Sequence, residues 1–144
     1  MNNSTRGLHF ILTGFVSADC VETLNNPEGL KRLLLDAVAL VGMQPLMEPV
    51  MLPVPLDETL AETEGDCGGV TGFVILSTSH VSIHTWPLHR RLSFDLYSCH
   101  NFSWEPVLEF LKDRVGLTGG RVVLVDRTPD VTLQNQIEVG YASA

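Results

Sequence analysis

The sequence predicts an α+β fold, a two-layer α/β sandwich with helices on one face of a mostly antiparallel sheet. Three observations predict it. Two stretches with apolar residues at helical spacing stand far apart in the chain. Between them, three β-rich runs follow one another across short turns, as antiparallel neighbours do. Finally, 144 residues with 44% hydrophobic and 18% charged side chains suffice for a single core, so residues 1–144 are read as one domain.

Residues 8–16 form the first predicted strand. Arg6 followed by an apolar run has the outline of a short leader, but Gly7, His9, Thr13 and Gly14 interrupt it, and Asp19 before Cys20 does not suit a lipoprotein processing site. No run reaches the ~18 apolar residues of a membrane span. Asn26 and Pro27 are the cap and first residue of a helix whose stripe is Leu30, Leu33, Leu34, Ala37, Val38 and Val41, closed by Gly42. From Gln44 to Pro55 four prolines confine any strand to a sheet edge. Asp57 to Asp66 then holds five carboxylates and no base, and reads as a loop.

Gly68 and Gly69 end that loop. Val70 to Leu76 is continuously apolar and β-branched, which predicts a strand buried on both sides. A strand from His80 to Trp86 stops at Pro87, and Arg91 to Cys99 makes the next. Asn101 or Ser103 caps a second helix with Pro106 in its first turn and Val107, Leu108, Phe110, Leu111 and Val115 as its stripe. Gly119 and Gly120 are expected to turn into a last strand, Arg121 to Asp126, and the tail after Pro129 carries no periodicity.

Seventeen acidic against nine basic residues give a net charge of −8, a field that repels nucleic acid and anionic membranes and favours a small cationic partner. Cys20, Cys67 and Cys99 are too few and too irregularly spaced for a disulfide framework or a thiolate zinc site, which points to the reducing cytoplasm.

Polar side chains crowd into Ser77, Thr78, Ser79, His80, Ser82, His84 and Thr85, with Cys99 and His100 closing the next strand. His80 and His84 would share a face on a helix, but on a strand they lie about 13 Å apart, too far to ligate one ion. Cys99 and His100 point to opposite faces, so no metal is expected. A serine hydrolase is disfavoured as well, for want of a Gly-x-Ser-x-Gly elbow and an orienting acid. One buried polar residue is usually satisfied within the core; a cluster of this size points to a site.

The run Gly69-Val-Thr-Gly-Phe-Val-Ile-Leu-Ser-Thr-Ser-His-Val-Ser-Ile-His-Thr-Trp-Pro87, followed by Phe94-Asp-Leu-Tyr-Ser-Cys99, resembles the prokaryotic S-adenosylmethionine decarboxylase proenzyme family. The resemblance implies self-cleavage between Thr78 and Ser79 into chains 1–78 and 79–144, with a pyruvoyl group derived from Ser79 as cofactor. In that chemistry the Ser79 hydroxyl attacks the Thr78 carbonyl, and elimination from the resulting ester yields dehydroalanine and then pyruvoyl. By the same resemblance His84 assists the elimination, Thr71 supplies a supporting hydroxyl, and Cys99 is the acid that reprotonates the substrate carbon. The pyruvoyl ketone forms a Schiff base with an amine and draws off the electrons left by CO2. A cytoplasmic homodimer of processed protomers in polyamine biosynthesis is implied too. No role follows for His80, His89 or His100.

Three departures bear on substrate and processing. Where the family has a carboxylate for ribose hydroxyls, this chain has Leu88, just after Trp86, and Leu88 accepts no hydrogen bond. The aromatic on which the family stacks adenine is missing, since no Phe, Tyr or Trp occurs between Phe15 and Phe73. Thr78 replaces the glutamate before the cleaved serine. With Glu64 and Asp66 as carboxylates for a distal cation, the expected substrate is a basic amino acid, L-ornithine or L-arginine, bound beside Trp86 and Leu88. S-adenosylmethionine is the alternative substrate, and an uncleaved, non-catalytic regulatory paralogue the alternative of another class.

Overall fold

A computed structural model describes residues 7–56, 68–128 and 139–143. Strands β1 (Leu8–Val16), β2 (Val50–Pro53), β3 (Val70–Ile75), β4 (His80–Trp86), β5 (Arg91–Ser98), β6 (Leu117–Asp126) and β7 (Val139–Ser143) form one sheet in the order β2-β3-β4-β5-β1-β6-β7. Every neighbouring pair is antiparallel.

Helix α1 (Pro27–Leu40) starts as its sequence predicts, with the Gly29 N–H donating to Asn26 Oδ1 at 3.1 Å and Pro27 in the first turn. It buries Leu30, Leu33, Leu34, Ala37 and Val38. Helix α2 (Trp104–Val115) buries Val107, Leu108, Leu111 and Val115 and ends at Gly116, whose φ of 67° is the left-handed conformation a C-terminal glycine supplies. Both stripes share one core with Phe10, Leu12, Val81, Ile83, Phe94 and Leu96 from one face of the sheet, so the two-layer α+β expectation holds.

The buried Thr85 hydroxyl ties these layers together: it donates to the Leu24 carbonyl at 2.6 Å and accepts from the Val70 N–H at 2.8 Å. Gly69 is required beside it. Its φ is +86°, and a Cβ there would run into the Thr85 backbone and Pro87.

Four features differ from the sequence reading. β3 is buried on one side only, with Val70, Gly72 and Val74 inward while Phe73 and Ile75 are 36% and 41% exposed. Both sides are apolar, but the protomer's helices cover one. β6 begins at Leu117, so Gly119 and Gly120 lie within the strand; Gly120 packs so closely on Thr13 and Gly14 that no side chain fits. β7 pairs with β6 through backbone bonds that the tail's weak pattern does not announce. Residues Ala18–Asn25 form a 3₁₀ segment. As expected, proline-rich β2 lies at the sheet edge. Among the described residues, no helix is long and apolar enough to cross a membrane.

The face away from the helices is therefore open. By strand alternation and register it carries Phe15, Leu52, Thr71, Phe73, Ile75, His80, His84, Trp86 and Arg91, with Phe15 and Leu52 about half exposed.

Candidate active site

The predicted site residues fall into two groups at opposite ends of β4. At the first end, the Leu76 N–H donates to the Ser79 carbonyl at 2.9 Å, closing a tight hairpin through Ser77 and Thr78. The Thr78–Ser79 peptide lies where this turn enters β4. Because Tyr97 pairs with His80, the chain leaving β5 arrives beside that peptide. The Cys99 N–H donates to Ser79 Oγ at 3.0 Å, and Thr78 Oγ1 lies 2.6 Å from Cys99 Sγ. Ser79 is buried, Cys99 partly buried and Thr78 exposed. Buried Ser98 supports the corner by accepting from the His100 N–H at 3.0 Å.

At the other end, Thr71 pairs with His84 across β3 and β4, and Thr71 Oγ1 is 3.1 Å from His84 Nδ1. The His84 and Trp86 rings stand 6.3 Å apart, and the Arg91 guanidinium lies 4.3 Å from the centre of the Trp86 ring, a cation–π contact across the β4–β5 register. Trp86 thus has one face covered by a cation. Leu88 is 59% exposed in the following turn. Glu64 and Asp66 lie outside the described residues.

The structure therefore brings Thr78, Ser79 and Cys99 together, and separately Thr71, His84 and Trp86. Five residue steps along extended chain separate Ser79 from His84, about 16 Å, so within one protomer the histidine does not reach the serine.

Sequence reading missed a third cluster, next to Ser79 on the open face. His80 packs on Tyr97, with ring centres 5.6 Å apart, and edge-on to His9 at 6.1 Å; Arg127 lies 4.2 Å over Tyr97. His9 Nε2 is buried 3.3 Å from Asp95 Oδ2 but misaligned for a hydrogen bond. Only the register of β1, β4 and β5 could have revealed this grouping. His80 titrates below the ordinary value of 6.5, chiefly because burial disfavours its charged form, helped by His9 and Arg127 and opposed by Asp95.

The unfolded chain therefore takes up a proton at His80 before the folded chain does. This group's contribution to stability is complete above 6.5 and declines as pH falls from there towards the lower folded value. In an uncleaved Ser79→Ala background, His80→Gln is expected to flatten the fall in Tm between about pH 7 and pH 5. An unchanged slope would assign that fall to other groups.

Chemically, the first end has the parts that an acyl shift requires, a hydroxyl adjoining a peptide carbonyl. The Ser79 hydroxyl is held by a backbone N–H next to the Thr78 carbonyl that precedes it, with a thiol at hydrogen-bond distance from the side chain on the other side of the Thr78–Ser79 peptide. A pyruvoyl group made from Ser79 would fit this corner, where the Cys99 N–H is a donor available to an oxygen of residue 79.

Fold and site together define a class: a two-layer α+β protein with a serine–cysteine centre at a hairpin tip. Its family follows from comparison. The chain belongs to the S-adenosylmethionine decarboxylase family, whose model matches residues 16–128. That family is pyruvoyl-dependent, the group arising from a serine by self-cleavage. The S-adenosylmethionine decarboxylase proenzyme of Sulfurihydrogenibium sp. (strain YO3AOP1) is 34% identical over 95 residues, 66% of this chain and 61% of the relative. That of Methanococcus maripaludis (strain C5) is 32% identical over 78 residues, 54% of each chain. The arginine decarboxylase proenzyme of Aeropyrum pernix is 34% identical over 71 residues, 48% of this chain and 53% of the relative. The matches thus span about three-fifths or less of these relatives' length. Among solved structures, the adenosylmethionine decarboxylase of Aquifex aeolicus VF5 shares the fold with a TM-score of 0.67, at 24% identity and covering 92% of this chain and 99% of that one.

Proposed function

We propose that this protein is a self-processing pyruvoyl-dependent decarboxylase that acts on a basic amino acid, L-ornithine or L-arginine, in polyamine biosynthesis. The observation that carries the reading is the corner at the tip of β4, where the Cys99 N–H holds Ser79 Oγ beside the scissile carbonyl. Ser79 would attack the Thr78 carbonyl, the peptide nitrogen would leave, and elimination would break the Ser79 Cβ–Oγ ester bond. The pyruvoyl group, once formed, supplies an electron sink for decarboxylation. Cys99 then delivers a proton to the substrate carbon. Cys20 and Cys99 are free thiols, in keeping with a reducing cytoplasm.

The working unit in this proposal is a homodimer. The open face exposes Phe15, Leu52, Phe73 and Ile75, the kind of apolar surface that a partner covers. A two-fold axis lying between two such faces and across the strands reverses the partner's strand direction. The His84 end of one protomer then faces the Ser79 end of the other, with sheets about 10 Å apart and side chains in reach. Thr71 and His84 would serve the partner's Ser79.

For the substrate, Leu88 offers no acceptor for ribose hydroxyls, and Arg91 already occupies one face of Trp86. The Aeropyrum pernix relative is named for arginine. Because Arg91 repels a second cation, a substrate's distal basic group would be held by Glu64 and Asp66. The names of the Sulfurihydrogenibium and Methanococcus relatives favour the second reading, S-adenosylmethionine. Release of labelled CO2 from arginine, ornithine, lysine and S-adenosylmethionine separates the two. Turnover of arginine or ornithine at least tenfold above that of S-adenosylmethionine is expected, and turnover of S-adenosylmethionine alone overturns the assignment.

A further inference from the structure

We infer that Thr78 is the positioning residue for the Cys99 thiol. Its γ-hydroxyl hydrogen-bonds the sulfur and couples the proton donor to the residue at the cut. The role given to the thiol rests on the decarboxylase reading; the contact itself does not.

Three observations support it. Thr78 Oγ1 and Cys99 Sγ are 2.6 Å apart, although 21 residues separate them in sequence, so the pairing is made by the fold. The same two segments are joined again at the next residue, where the Cys99 backbone N–H donates to the Ser79 side-chain Oγ. Sulfur and scissile bond are therefore held from both sides, by a side chain before the cut and by a hydroxyl after it. Third, the cross-turn bond from Leu76 to Ser79 fixes the hairpin that presents Thr78, so the hydroxyl sits on a constrained backbone.

The direction of the bond follows from donor strength. A hydroxyl is a better donor than a thiol, so the Thr78 O–H donates to Cys99 Sγ and leaves the thiol's own proton free to point elsewhere. A carboxylate at the same distance would do the reverse. Thr78 consequently prepares the sulfur to exchange a proton rather than merely filling space. After cleavage Thr78 is the last residue of the upstream chain, and the same bond retains that end beside the thiol.

The test is the iodoacetamide alkylation rate of Cys99 at pH 7, read by peptide mass spectrometry in an uncleavable Ser79→Ala chain, with Cys20 in the same digest reporting on folding. Thr78→Val is expected to slow Cys99 alkylation about fivefold, the loss of one hydrogen bond that holds the reacting sulfur at a partly exposed site. Thr78→Ser is expected to restore the rate, and Cys20 to be unaffected. An unchanged or faster Cys99 overturns the inference. If Thr78→Val alters Cys20 as well, the comparison passes to Thr78→Ala against Thr78→Ser, where equal Cys99 rates overturn it. Whether the unaltered chain cleaves is read separately from its intact mass, so failure of the decarboxylase reading and failure of this one are told apart.

Discussion

Ser79→Ala is expected to leave one uncut chain of 144 residues, whereas the unaltered protein is expected to separate into pieces of 78 and 66 residues. The effect should be all or none, because the alanine has no oxygen to attack the Thr78 carbonyl, and only an ester on the side chain of residue 79 can eliminate to give the new N-terminal group. The masses carry more information than the sizes. The downstream piece should be about 17 mass units lighter than the same peptide beginning with serine, since one ammonia is lost when pyruvoyl forms. The two pieces together should weigh about one mass unit more than the intact chain, one water entering as the ammonia leaves. A downstream piece with a free serine amine would indicate simple hydrolysis and no cofactor. An unaltered chain that stays whole after long incubation would place the regulatory alternative ahead.

That contrast depends on a corner that was only half legible in the sequence. The strand His80–Trp86, its stop at Pro87 and the start of α1 at Asn26 and Pro27 could be read because alternation, proline and capping are local signals. The likeness around Ser79, His84 and Cys99 singled these residues out, but not how far apart they stand. Counting strand residues places Ser79 and His84 about 16 Å apart, the argument that excludes a His80–His84 metal site, and it applies equally to a shared active site in one chain. Thr78 and Cys99 meet because β4 and β5 pair with His80 opposite Tyr97, a register no local pattern specifies. Likewise, the apolar run Val70–Leu76 shows that both faces of β3 avoid water; it does not tell whether helices or a partner cover the second.

The separation of the two groups leads to the strongest prediction. His84→Ala and Cys99→Ala, each purified alone, are expected to lose at least about 100-fold in decarboxylation, as removal of a proton-transfer group typically does. Coexpressed, they should recover about a quarter of the unaltered activity. Statistical mixing makes about half the dimers mixed, and each of those holds one site with both residues intact and one with neither. The intact site combines Ser79 and Cys99 from the His84→Ala chain with Thr71 and His84 from the Cys99→Ala chain. If instead the residues of one site came from one chain, every site in the mixture would lack one of them and coexpression would restore nothing. Phe73→Asp provides the complementary control: a charge on the open face, where Phe73 is 36% exposed, should separate the protomers on a sizing column and abolish the recovery without unfolding either. Recovery that survived in monomers would refute a site built from two chains; loss is the expected result, because the separation of about 16 Å between Ser79 and His84 is fixed by the hydrogen bonds β4 makes to β3 and β5.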